Sequence, residues 1–386
     1  MSKEFDTLTK EVQKDVVELR DKINRFKKGE MDEERFKAFR LTRGVYGQRQ
    51  AGVQMFRIKL PYGKISPQQL RAVADMAEQF GHGNLHLTTR QNIQLHYVDV
   101  VNAPRIWEVL ESVGVTAREA CGNTVRNITA SPYAGIDPEE PFDVSPYAQG
   151  VFEYFLRNPI CQDMGRKVKM AFSASEKDAA FTYIHDFGFI PQVQTIDGQE
   201  VRGFKVLVGG GLGAQAFVAQ VAYEFLPEDE LIPFIEAGLR VFDRYGERER
   251  RHKARMKFLI DPKKGLGVDG FLKLVEEERK ALPQHRVAID RATVPEEINE
   301  QAETSSLPAT ESFDSWSKSH VFEQKQTGYY AVKVKVPLGN LSVDTSRKLA
   351  DVVEKWASPD MRVTINQGLL LKYLRKESLV GLYEDL

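Results

Sequence analysis

Five basic side chains stand where apolar strand patterns end or break. They are Arg57 in VQMFRI, Arg90 in TTRQN, Arg126 in TVRNI, and Lys205 in RGFKV with Arg202 beside it. Guanidinium and ammonium groups directed at one point hold an anion through charge-assisted hydrogen bonds. Taken singly, each is more often a surface ion pair than a ligand. The stretch Asn84–His96, NLHLTTRQNIQLH, adds neutral donors. If its second limb is extended, Asn92, Gln94 and His96 share one face and Ile93 and Leu95 the other. Arg90, Gln94 and His96 then reach one ligand, although a solvated face of a half-buried strand has the same alternation. Further on, Arg126 and Asn127 sit in a Gly/Asn-rich context ahead of a Ser-Pro turn. The run Gly209-Gly210-Gly211-Leu212-Gly213-Ala214 fits GxGxxA after a strand. It reads either as a dinucleotide loop or, at Gly210 and Gly211, as backbone brought close to a large ligand. The seven histidines show no metal-ligand spacing; His82 and His86 fall four apart, but across a Gly-rich turn.

The elements that must position these residues occur twice. FRIKLPYGKIS, a helical run and NLHLTTRQNIQL return as AVKVKVPLGNLS, a similar helical run and DMRVTINQGLLL. Pro61 matches Pro337, an offset of 276 residues (337 − 61), and the same offset pairs Gly63 with Gly339, Arg71 with Arg347, Asp75 with Asp351, Thr88 with Thr364 and Gln91 with Gln367. An ungapped match of this length marks an internal duplication, with a period too long for a solenoid. The polar residues are not duplicated: Lys333 stands for Arg57, Asn366 for Arg90 and Leu370 for Gln94.

In chain order, helices are expected at Leu8–Lys28, Asp32–Phe39, Pro67–Phe80 (Ser66 as N-cap), Pro104–Val113, Ser145–Leu156, Asp229–Tyr245, Glu247–Leu259 and Val268–Ala281. Strands are expected at Val53–Leu60, Lys167–Ser173, Phe181–Phe187 and Val201–Val208, and a loop over a site at Arg40–Gly52. Pro283–Phe313, rich in Pro, Glu, Thr and Ser, reads as a linker. The expected fold class is α+β, with duplicated ferredoxin-like half-repeats forming one pseudo-symmetric domain and an inserted α/β domain. Expected boundaries are a helical extension over 1–40, half-repeats over 41–118 and 321–386, the α/β domain over 119–282 and a linker over 283–320.

A chain of 386 residues with 42% hydrophobic residues is long enough for two or three domains and a sizeable core. A net charge of −1 and a pI near 6.7 give no support to nucleic-acid or membrane-surface binding. The amino terminus is a charged amphipathic helix without an export-signal h-region, and no run has the length of a membrane span. Two cysteines, Cys121 and Cys161, do not make a disulfide framework. These features together read as a cytoplasmic protein.

FRIKLPYG, LTTRQNIQLH, GNTVRNI and RGFKV, in that order and together with the duplicated half-unit, resemble the siroheme-dependent sulfite and nitrite reductases. The resemblance runs from roughly Arg40 to Leu386. In that family two ferredoxin-like repeats pair in one domain, two α/β domains flank it, and siroheme sits where the three meet. The resemblance implies multi-electron reduction of sulfite to sulfide or nitrite to ammonia, with ferredoxin or a flavoprotein as electron donor. It implies Arg90, Gln94 and His96 as siroheme contacts, joined by Asn127, Arg202, Gly210 and Gly211, and Arg57, Arg126 and Lys205 as the cationic groups at the substrate. The family's Lys-x-Lys is here Gly203-Phe204-Lys205, which leaves open whether Arg202 stands in for the first lysine. The family's cysteines for a [4Fe–4S] cluster follow the second repeat, so the expectation is a chain that is the N-terminal portion of a longer reductase. Two other readings stay open: a tetrapyrrole-binding module without electron transfer, and a nicotinamide-dinucleotide oxidoreductase using Gly209–Gly213.

Overall fold

The computed structural model describes residues 2–386. Its elements in chain order begin with α1 (Lys3–Thr7), α2 (Lys10–Lys27), α3 (Glu33–Leu41), β1 (Val45–Gly47), β2 (Val53–Ile58), β3 (Lys64–Ile65), α4 (Pro67–Phe80), β4 (Asn84–Leu87), β5 (Ile93–Asp99) and α5 (Ala103–Ser112). A second group follows: β6 (Val125–Ala130), α6 (Ser145–Phe155), β7 (Val168–Phe172), β8 (Phe187–Ile196), β9 (Gln199–Val208), β10 (Gln220–Pro227), α7 (Leu231–Tyr245), α8 (Met256–Leu259) and α9 (Gly267–Ala281). The chain ends with α10 (Glu311–His320), β11 (Val321–Glu323), β12 (Tyr329–Val334), β13 (Asn340–Ser342), α11 (Val343–Trp356), β14 (Met361–Val363), β15 (Leu369–Arg375) and α12 (Leu379–Asp385). Two compact units result: residues 1–121 with 296–386, and residues 122–295.

The first unit contains both copies of the repeat, and the copies exchange strands. One sheet has the order β1-β2-β5-β4-β13 and the other β11-β12-β15-β14-β3, so each is closed at one edge by the short strand of the other copy. Leu341 pairs with Leu85 and Ile65 with Met361, the same contact made twice. The exchange is locked at the turns. Gln91 Nε2 donates to the Val363 carbonyl and Gln367 Nε2 to the Leu87 carbonyl, both at 2.9 Å. Gly63 and Gly339 have φ of 76° and 71°, and a Cβ on either would lie 2.4 or 2.5 Å from those same carbonyl oxygens. Only glycine permits both the left-handed backbone and that approach. On the helix side, Arg71 bonds Asp351 and Glu354 while Arg347 bonds Asp75 and Glu78. Helix α4 starts where expected because Ser66 and Gln69 form a reciprocal capping box ahead of Pro67, and α11 repeats the serine cap at Ser342. The helical amino terminus joins this unit's core through Phe5, Val12, Val16, Leu19 and Ile23.

The second copy's counterpart of the polar face is not bare. Arg362, Asp360 and Lys372 stand where the first copy has His86, Asn84 and His96, and all three are at most 3% exposed. Arg362 bonds both Asp360 oxygens at 2.6 and 2.8 Å, Lys372 bonds one at 2.7 Å, and the Arg362 guanidinium lies 4.6 Å from the Tyr62 ring centroid. Next to them Lys64 pairs with Glu297 at 2.6 Å. Residues expected as a linker hold this region: Asn299 donates to the Glu354 and Ala357 carbonyls, and Glu303 N to the Lys355 carbonyl. The linker expectation also misses α10, whose Thr310 cap and Phe313–Trp316 spacing start a helix within it.

The second unit is a sheet of order β10-β9-β8-β7-β6, in which β6, β7 and β8 run parallel and β9 and β10 antiparallel. Two expectations fail here. Phe181–Phe187 is not a strand, because Phe181 adopts φ 53° and a short 3-10 turn at Thr182–Ile184 precedes β8. Glu247–Leu259 is not one helix: Glu247 accepts from the backbone of Glu249 and Arg250, which turns the chain, and helix resumes only at Met256.

Asp360 is held below the ordinary carboxylate range: burial acts to raise it, and Arg362 and Lys372 outweigh that. Its stabilising contribution is therefore present above pH 3.8 and lost as pH falls below that value. Asp360→Ala, which takes the carboxylate away from two buried cations, should destabilise the first unit by about 3–5 kcal/mol in urea unfolding at neutral pH; a loss under about 1 kcal/mol would show that the cluster is hydrated.

Candidate functional site

In the first copy the corresponding face stays open. Ile93, Leu95, Leu85, Leu87, Phe56 and Ile58 are fully buried on the helix side of the sheet, so Gln94, His96, His86 and Arg57 take the opposite face, as the alternation predicts. Register sets Gln94 between Arg57 on β2 and His86 on β4. With its amide oxygen toward Arg57, Gln94 accepts from Nε at 3.1 Å and Nη2 at 2.9 Å. Arg57 Nη1 also reaches the Ala120 carbonyl at 3.4 Å. A bulge at His96-Tyr97, where Tyr97 has φ 60°, restores Val98 to the core; Gln48 Oε1 accepts from Tyr97 N at 2.6 Å, and Gln324 does the same for Tyr373 at 2.7 Å.

The His86 and His96 rings are 6.0 Å apart, and His86 Nδ1 meets Asn340 Oδ1 at 2.8 Å. Neither His86 nor Asn340 stood out as a site residue in the sequence. The alternation of β4 places His86 on this face, but Asn340 arrives by strand exchange. Arg90 is half-buried in the turn before β5, where Thr88 Oγ1 accepts from Arg90 N and Asn92 N. Burial, then His86 and Arg57, lower the His96 pKa below its ordinary 6.5. The imidazole is therefore neutral at pH 7. The Arg40–Gly52 stretch is only partly loop: it contains β1, and Arg40 is tied to Gln54 at 2.6 Å and Arg43 to Glu18 at 2.6 Å, so these two cations serve the fold.

Within the second unit, Arg126 on β6 donates to the Gly122 carbonyl at 3.1 and 2.8 Å, and Asn127 is buried. Lys205 on β9 faces the exposed Glu224 at 3.4 Å. Arg202 is not a substitute for the absent lysine. Strand alternation puts it on the face opposite Lys205, 5.1 Å from the Phe142 ring centroid. Position 203 itself excludes a side chain: a Cβ there would lie 2.5 Å from both the Leu226 carbonyl and the Phe225 ring.

The glycine loop also departs from expectation. A Cβ on Gly210 would meet the Tyr183 and His185 carbonyls at 2.5 and 2.7 Å, and one on Gly211 would meet Arg255 and Lys257. The chain's own packing therefore requires a glycine at 210, whereas at 211 the nearest atoms belong to two long, flexible side chains. The element after the loop is β10, so the helix N-terminus that a dinucleotide phosphate requires is missing, which overturns that reading. What holds the loop is Lys257, 3% exposed, whose ammonium bonds the Leu212 carbonyl at 3.2 Å and the Gln215 carbonyl, between the rings of Phe217 and Phe258. Beside it Arg255 grips both oxygens of the buried Asp186.

Residues 121–282 match the family model described as "Nitrite and sulphite reductase 4Fe-4S domain", and residues 46–113 and 322–386 match "Nitrite/Sulfite reductase ferredoxin-like half domain". The chain belongs to the siroheme-dependent sulfite and nitrite reductase family. The family's half-domain falls on the two strand-exchanging copies and its 4Fe-4S domain on the second unit. An assimilatory ferredoxin-dependent nitrite reductase of Haloferax mediterranei is 32% identical over 339 residues, covering 84% of this chain and 56% of that protein. A sulfite reductase [ferredoxin] of Mycolicibacterium paratuberculosis is 31% identical over 318 residues, covering 82% of this chain and 52% of that protein. The structure of the Mycobacterium tuberculosis NirA protein superposes with a TM-score of 0.74 at 26% identity, over 91% of this chain and 62% of that one. The chain spans little more than half the length of the curated relatives it matches.

Among the described residues no helix is long and apolar enough to cross a membrane. Nor does any group of His, Cys, Asp or Glu among them suit a metal ion, and the two cysteines, both buried, are not joined in a disulfide.

Two measurements check the geometry. The His96 imidazole should titrate below 6.5 by NMR in the ligand-free chain, so that acidification below that value protonates it and costs stability; a value above 6.5 would mean an acidic neighbour instead of Arg57 and His86. Lys257→Met keeps the apolar stem and removes the carbonyl bonds, so amide exchange at Gly211 and Phe217 should accelerate about tenfold or more; unchanged exchange would show that the rings alone hold the loop.

Proposed function

We propose that this chain serves the multi-electron reduction of a small oxyanion, sulfite or nitrite, at a siroheme. The observation that carries the reading is the contrast between two equivalent faces. In the second copy the face is neutralised by Asp360 and Glu297, whereas in the first it presents Arg57, Gln94, His96 and His86 and no carboxylate pairs with Arg57 among the described residues. That donor set suits a macrocycle fringed with carboxylates. Siroheme, when bound, supplies the iron at which the oxyanion is reduced.

The chain's own residues bind and orient. Arg90, Gln94 and His96 are assigned to the macrocycle's carboxylates, with Gln94 keeping the Arg57 guanidinium in one orientation. Neutral His96 offers a ring N–H without adding charge next to Arg57. Arg57, Arg126 and Lys205 are assigned to the oxyanion, which they stabilise electrostatically as charge develops. Of these only Lys205 can give up a proton, since a guanidinium stays charged. Gly203 leaves that strand with one ammonium where the family pattern has two. The donor class we assign is ferredoxin, the one that the relatives' names carry.

Arg126→Ala in the assembled holoenzyme should lower oxyanion turnover about 100-fold while the siroheme absorption spectrum and occupancy stay unchanged. Turnover near that of the parent enzyme would overturn the assignment.

A further inference from the structure

The turn between β12 and β13 carries an oddity that the repeat explains. Leu338 is 84% exposed, the most exposed large apolar side chain among the described residues, and its backbone is left-handed at φ 54°. A Cβ lies too close to the following carbonyl oxygen there, so the sequence sets an apolar residue in an unfavourable conformation and leaves it in water. Its counterpart, Tyr62, has the same backbone (φ 43°) but is 5% exposed, with the buried Arg362 guanidinium against its ring. The first copy's turn is thus a flap lying on the second copy's polar face.

The 276-residue offset that maps Tyr62 onto Leu338 maps Arg362 onto His86. The Leu338 turn is fixed beside His86 by the strand exchange: Asn340 pairs with His86 in register and bonds its ring, and Gly339 sits against the Leu87 carbonyl. The turn therefore stands at the edge of the open face, with its apolar side chain not yet covered.

We propose that Leu338 is an apolar contact for the macrocycle edge on this face, so that the second copy contributes a binding residue to the first copy's site. The assignment rests on the siroheme reading above. A tetrapyrrole fits this edge better than the oxyanion alone, because it joins a broad apolar ring to the carboxylates that Arg90 and His96 would hold. Burial of Leu338 under the ring recovers the area now in water.

Siroheme titrated into the full chain tests this, with binding read from the Soret band. Leu338→Asn removes the apolar group and suits a left-handed residue, so the ligand-free variant should melt at or above the temperature of the parent chain. Its siroheme affinity should fall about tenfold, while Leu338→Met, which keeps the apolar area, should bind nearly as the parent does. Equal binding by Leu338→Asn and the parent overturns the role of Leu338 and leaves the siroheme reading standing. A lower melting temperature for ligand-free Leu338→Asn also overturns it, by making Leu338 a folding residue. No siroheme uptake by the parent chain overturns both.

Discussion

The reciprocal exchange of β3 and β13 is the constraint on which the first unit depends. Each copy's sheet has its edge closed by a strand that is only two or three residues long in the other. A strand so short has no independent stability, so neither copy is complete without its counterpart. The lock is tight because a backbone carbonyl, a glutamine amide and a left-handed glycine must meet at one point, twice. It is this lock that sets β4 against Asn340 and so defines one edge of the candidate site.

On that common scaffold the two copies have opposite electrostatic outcomes. One face is closed by a carboxylate shared between an arginine and a lysine, in a site with almost no solvent. The other keeps an arginine, two histidines and an amide, and among the described residues no carboxylate pairs with that arginine. In a low-dielectric interior, cations in the first arrangement require an internal anion. In the second, the groups are only half-buried, so they remain within reach of solvent and need no internal anion. The duplication thus gives a neutralised, buried face and an open, polar face from one fold.

In the second unit, the fold and the chemistry compete for the same glycines. Gly203 and Gly210 are explained by close backbone or ring neighbours. In the motif that resembled a dinucleotide fingerprint, Gly210 is therefore a packing requirement, and the loop is held by a buried lysine that donates to carbonyl oxygens.

Periodicity in the sequence determined much of this protein: the repeat, the helix starts at Ser66 and Ser342, and the alternation that puts Gln94 and His96 opposite Ile93 and Leu95. These follow from local rules of spacing and capping, which act over a few residues and are legible in one dimension. The tertiary structure alone decided three things: that Asn340 from one copy meets His86 of the other, that Arg202 turns away from Lys205, and that residues 296–303 dock on the second copy. The Glu247–Leu259 segment shows the same limit on a smaller scale, since side-chain capping by Glu247 breaks a pattern that composition alone would extend. Each of these depends on which distant backbone lies within a few ångströms, and spacing along the chain carries no record of that distance.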